Sequence, residues 1–86
     1  MIKYIPDMTL QETLKFHEAL HSISPDDEMI FDFSRMSNFD PLPMLMMGAI
    51  IRNYRNKFPN VPFRIAGYEN KSYAKTMVFL SIFQHH

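Results

Sequence analysis

Five residues, Met29-Ile30-Phe31-Asp32-Phe33, restrict the fold more than any other stretch of the chain. The run is short, rich in β-formers and almost continuously apolar, which suits a strand covered on both faces rather than one with a wet side. Such a strand belongs at the centre of a sheet, and its surroundings must supply the cover. Met1 to Ile5 reads as a short strand ended by Pro6 and Asp7. Thr9-Leu10-Gln11-Glu12 then forms a capping box, in which Thr9 and Glu12 satisfy each other's free backbone donors. Leu10, Leu14, Phe16, Leu20 and Ile23 give the following helix an apolar side, and Ser24-Pro25-Asp26-Asp27 stops it near Ser22.

After the apolar run, Asp40 stands at an N-cap position with Pro41 at the first helical residue, and a second helix extends to about Lys57. Pro59 and Pro62 punctuate the return, Phe63 to Tyr68 reads as a strand, and Asn70 or Ser72 caps a last helix running to about Phe83. The order β-α-β-α-β-α implies an α/β fold with a parallel or mainly parallel sheet and right-handed crossovers. Its 86 residues hold one domain by the usual size of about 100–200 residues, and no repeat or linker divides them.

Composition narrows the function classes. With no cysteine there is neither a disulfide nor a thiolate metal site, and an intracellular, cytoplasmic setting fits best. No secretory leader or membrane-spanning run is apparent. A net charge of zero argues against nucleic-acid binding, which relies on neutralising several phosphates. The charge is nevertheless uneven. Residues 1 to 40 hold eight acids and three bases, a net of −5, while 41 to 86 hold Glu69 against six bases, a net of +5. An anionic small ligand such as a nucleotide is one reading of the basic half, but with only Gly48 and Gly67 there is no glycine-rich phosphate loop.

His17-Glu18-Ala19-Leu20-His21 has the letters of a zinc-hydrolase signature: histidines at i and i+4 share a helix face, and Glu18 would act on a bound water. A catalytic zinc needs a third protein ligand. The extended motif would place a histidine where Asp27 stands and a glycine where Ser24 stands, and Asp27 lies beyond Pro25. His85 and His86, at the end of the chain, are weak alternatives. The preferred reading is that His17 and His21 line the polar edge of an amphipathic helix and that no metal or other cofactor is required.

Residues 29 to 51, MIFDFSRMSNFDPLPMLMMGAII, resemble the central segment of STAS domains, the sulphate-transporter and anti-sigma-factor-antagonist family. There a buried strand ending in Asp-hydrophobic-Ser leads through a short loop to Asp-Ser-Ser-Gly at a helix start. Asp32-Phe33-Ser34 matches the first part and Asp40 begins the second. Pro41-Leu42-Pro43 then replaces the phosphorylatable serine, so a kinase switch at that place is excluded. The resemblance covers about three quarters of the chain, as a pattern of hydrophobic positions more than of fixed letters. It implies a bacterial regulatory module that binds other proteins rather than catalyses, and a histidine-kinase-type ATPase domain as the first partner to seek.

The second helix adds a physical argument. Leu42, Leu45, Met46, Ala49 and Ile50 form the expected core stripe, while Met44, Met47, Ile51 and Tyr54 extend the apolar arc past what one sheet face covers. Docking is therefore expected through Asp40, Pro41, Pro43, Met44, Met47, Gly48 and Ile51, with lysine at Met47 and Ile51 abolishing association but not folding. Met77, Val78, Phe79, Leu80, Ile82 and Phe83 surround the last helix in the same way. Either a homodimer or a longer polypeptide, of which this chain is the N-terminal piece, would cover that surface.

Overall fold

The chain leaves its first extended stretch at Pro6-Asp7 and enters a helix at Thr9, whose hydroxyl accepts the Glu12 N–H at 3.3 Å. Only this half of the expected capping box forms, because the Glu12 carboxylate turns toward Lys15, 3.6 Å away. The computed structural model describes residues 1–38 and 40–68. In them β1 (Ile2–Tyr4), α1 (Leu10–His21), β2 (Met29–Asp32), α2 (Pro41–Lys57) and β3 (Phe63–Ala66) follow in order. The helix expected between Asn70 and Phe83 lies outside the described residues.

The three strands are parallel in the order β1-β2-β3. Ile2, Lys3 and Tyr4 stand beside Ile30, Phe31 and Asp32, and Met29 to Asp32 beside Phe63 to Ala66. The apolar run is thus the central strand of a small α/β unit. Both crossovers step the same way across the sheet, so a common right hand puts both helices on one face, where α1 and α2 pack against each other. Met29, Phe31 and Phe33 join Ile5, Phe16, Leu20, Met47, Ile51 and Tyr54 in the core there. Phe31 stacks on Phe63 at 6.0 Å and meets the Tyr54 ring edge-on at 6.3 Å.

Among the described residues, same-direction crossovers put the helical cover of β2 on one face, and the reverse face carries no helix there. That face carries Ile2 and Tyr4, both exposed, and the half-buried Ile30. Among the described residues its cover includes charged side chains: the Arg35 guanidinium lies 3.7 Å above the Tyr4 ring, and Arg64 pairs with Glu28 at 2.9 Å. Long charged stems shield apolar surface while their heads stay wet.

The helix phases also differ from the sequence expectation, and for one reason in both. In α1 the buried residues are Thr13, Phe16 and Leu20, whereas Leu10 and Leu14 are exposed. Leu14 and Phe16 are two residues apart, about 200° around a helix, and cannot share a face. The stripe through Leu10 and Leu14 continues at i+7 and i+11 to His17 and His21, while the stripe through Phe16 and Leu20 continues to Ile23.

In α2 the buried stripe is Pro43, Met47, Ile51 and Tyr54, beside Gly48, and Phe58 packs against the core beyond it. It stays apolar for the whole helix. The rival stripe of Leu42, Met46 and Ala49 runs into Asn53, Asn56 and Lys57. Each helix turns inward the stripe that remains apolar to its last turn. Tyr54 completes the seating of α2 by donating its hydroxyl to the Ile23 carbonyl at 2.8 Å, and its burial pushes the phenol pKa up.

Asp40 is the N-cap of α2 but makes no side-chain capping bond. The usual donors for such a bond are the N–H groups of the second and third helical residues, and the third is Pro43, which has none. Pro41 and Pro43 between them remove two of the donors a helix start leaves free. Asp40 is held instead through its backbone N–H to the Met8 carbonyl at 3.0 Å.

Candidate functional site

Chemistry in a parallel sheet is usually sited at the carboxyl ends of its strands, where this chain places the two pieces of the Asp-Phe-Ser … Asp pattern. Asp32 ends β2 and accepts the Ser34 N–H at 2.8 Å, closing a turn that continues with Met36 N–H on the Phe33 carbonyl at 3.2 Å. Gly67, just past β3, adopts φ +73°, and a Cβ there would sit 2.7 Å from the Ser34 nitrogen. Only glycine combines that left-handed backbone with that approach.

The rest of the loop is tied to the segment before α1. The Asp7 carboxylate accepts the backbone N–H of Ser37 at 2.7 Å and of Asn38 at 3.2 Å, with the Ser37 hydroxyl 3.4 Å away. Met8 N–H donates to the Asn38 carbonyl at 2.9 Å. The Ser37 N–H first, then that of Asn38, holds the Asp7 carboxyl below its ordinary pKa. A depressed folded pKa contributes stability at neutral pH that disappears as pH falls through the folded value. The two backbone hydrogen bonds Asp7 accepts from the loop are solvent-exposed, so Asp7→Ala is expected to cost about 0.5–1 kcal/mol at neutral pH. Urea unfolding at several pH values should show the gap from the parent protein closing below about pH 4. An unchanged midpoint at neutral pH would contradict this role.

Of the residues expected to dock a partner, the structure brings only some to the surface. Pro43, Met47, Gly48 and Ile51 are buried, with Met47 and Ile51 at 0% exposure, and Met44 is half-buried. They belong to the core, which corrects the expectation drawn from the helix arc. Asp40 and Pro41 are exposed. On the two helices, the large apolar side chains that face outward are Leu42 (65% exposed), Leu10 (54%), Leu45 (50%) and Leu14 (48%). The sequence alone places Leu42 and Leu45 in the core stripe, and Leu10 and Leu14 on the apolar side of α1.

Leu10, Leu14 and Leu42 continue toward the helix starts the faces that meet across the seam between the helices, whereas Leu45 stands on the outer surface of α2. The seam is fixed at its other end, where His17, Leu20 and His21 of α1 face Ile50, Asn53, Tyr54 and Lys57 of α2 across a recess of about 30 Å³. Two turns earlier on α1 the same face carries Leu10 and Leu14, and three turns before Asn53 on α2 it carries Leu42, with Leu45 on the outer surface beyond. The seam is thus apolar at its N-terminal end and polar at its C-terminal end. Comparison with known protein families, curated proteins and solved structures finds no match.

The recess is too small for an organic substrate. The His17 and His21 rings are 4.7 Å apart and both residues are exposed. No group of three or more histidines, cysteines or carboxylates that could hold a metal exists among the described residues, and Asp27 does not join the pair. A larger hollow of about 480 Å³, beside α2 at its β3 side, is lined by Arg55, Asn56, Pro59, Val61 and Phe63, none of which is a nucleophile or a general acid–base pair. No helix among the described residues is long and apolar enough to cross a membrane.

Proposed function

We propose that the chain is a non-catalytic regulatory module of STAS type, which docks on a protein partner through the N-terminal half of the α1–α2 seam. The observation that carries this reading is the exposure of four leucines on two adjacent helices of a chain small enough to need its apolar residues inside. Leu42 and Leu45 follow directly on Asp40 and Pro41, at the helix start where the resemblance implies docking. The docking set becomes Asp40, Pro41, Leu42 and Leu45 with Leu10 and Leu14 across the seam, and Met44 at its margin.

Magnitudes limit what the seam does alone. Burying the remaining half of each leucine is worth about 1 kcal/mol, or about 4 kcal/mol for four. That corresponds to a dissociation constant of about 1 mM before ordering costs. The leucines act as an anchor within a wider contact, and the partner supplies the rest. A histidine-kinase-type ATPase domain and a second copy of the chain are the two partners the reading favours.

The test is a Leu42→Glu/Leu45→Glu double variant. Both sites are exposed, so its melting temperature should stay within a few degrees of the parent's, by the about ±0.5 kcal/mol typical of surface changes. Light scattering reads self-association, and capture with the parent and the variant as paired baits reads other partners. Loss of an associated species in the variant supports the proposal. Retention of every associated species by the folded variant contradicts it.

A further inference from the structure

The polar end of the seam has no part in leucine-mediated docking, yet its side chains are arranged for a different task. His17 and His21 are one helical turn apart, with ring centroids 4.7 Å from each other. They form one wall of a recess of about 30 Å³ whose opposite wall is Asn53, Tyr54 and Lys57 of α2. That volume suits an ion and its water rather than a metabolite. The Tyr54 hydroxyl is committed to the Ile23 carbonyl, and of the other polar residues that line the space, His17, His21, Asn53 and Lys57, the two histidines carry the nitrogen ligands suited to a metal.

We infer that His17 and His21 form a two-imidazole clip for a borderline divalent transition metal, Zn²⁺, Ni²⁺ or Cu²⁺. The chemistry follows from the donors. Imidazole nitrogen suits these ions, whereas Mg²⁺ and Ca²⁺ demand oxygen. A rigid helix presents i and i+4 side chains on one face, so little entropy is lost in bringing the two donors together. Water fills the remaining coordination positions, because no third histidine, cysteine or carboxylate completes a site among the described residues. The same incompleteness separates the clip from a catalytic zinc centre, which takes three protein ligands. Closing a chelate over the last turns of α1, against α2, stabilises the folded form in proportion to occupancy. The Lys57 ammonium, which lines the recess, opposes the incoming cation.

The test uses the full chain, titrated with Zn²⁺ and separately with Mg²⁺, reading binding by calorimetry and stability by melting temperature. The expected result is one saturable Zn²⁺ site that raises the melting temperature, with no response to Mg²⁺. His17→Gln and His21→Gln, both at exposed positions, should each weaken binding by more than about tenfold, the loss already typical of removing a partner one shell farther out. Lys57→Gln should tighten it. The inference is overturned if Zn²⁺ does not bind, if either histidine variant binds as the parent does, or if His85→Ala/His86→Ala removes the site instead. It is equally overturned if Lys57→Gln loosens binding, which would assign the recess to an anion.

Discussion

Met47→Lys is expected to unfold the protein, and Leu45→Lys is expected to leave it folded. The two positions stand two apart on α2 with Met46 between them, yet one side chain is at 0% exposure and the other at 50%. Lysine at Met47 must either carry an unpaired charge into the core of Met29, Phe31 and Ile51 or drag α2 away from the sheet. Either route costs more than about 4 kcal/mol, against a total stability of about 5–15 kcal/mol for a domain, with small domains at the low end. Lysine at Leu45 points into solvent and should shift stability by no more than about 0.5 kcal/mol. Circular dichroism and amide chemical-shift dispersion separate a folded from an unfolded chain. A well-dispersed, cooperatively melting Met47→Lys protein would contradict the arrangement of α2.

The second large effect lies on the central strand. Phe31 is fully buried, with Phe63 stacked against it at 6.0 Å and Tyr54 edge-on at 6.3 Å. Phe31→Ala removes most of that ring contact and leaves a cavity bounded by the sheet, which cannot collapse without breaking strand pairing. The expected cost is about 3–5 kcal/mol, or about 12–40 °C in melting temperature for a domain of this size. Phe31→Leu, which retains much of the volume, should lose less than half as much. Equal losses for the two variants would show that the site tolerates a void and that the aromatic cluster is not what holds β2 to α2.

The strand order, the two helix starts and the parallel pairing could be read from the sequence because each has a local signal: the apolar run at β2, Thr9 before α1, and Asp40-Pro41 before α2. The helix phases were misread because counting apolar residues within the first turns of α2 favours the leucines. Met47 and Ile51 look like surplus until Tyr54 and Phe58 are seen to extend their stripe. The rival stripe fails only at Asn53 and Asn56, three turns later. Following each stripe to the helix end would have chosen correctly in α1 as well, where the losing stripe is the one that reaches His17 and His21.

That correction also changes what the histidine motif means. His17 and His21 are the polar continuation of the exposed stripe through Leu10 and Leu14, so the motif and the leucines proposed for docking on α1 share one face of that helix. Other features had no sequence signal. The Asp7 carboxylate meets Ser37 and Asn38 about thirty residues away, and a long-range contact between a loop and a pre-helix segment follows from the crossover geometry alone. Pro43 removes one of the two donors that Asp40 would have capped, a consequence legible only once the helix start is fixed.

Whether α2 turns Met47 inward and Leu45 outward can be measured directly, because the chain contains no cysteine. Single Leu45→Cys and Met47→Cys variants, labelled with a thiol reagent under native conditions, report the exposure of each position without background. The thiol at position 45 is expected to react at close to the rate of an unstructured thiol, and the thiol at position 47 only as fast as the domain opens. Comparable rates at the two positions in the folded protein, or protection at position 45 with free reaction at position 47, would contradict that orientation of α2.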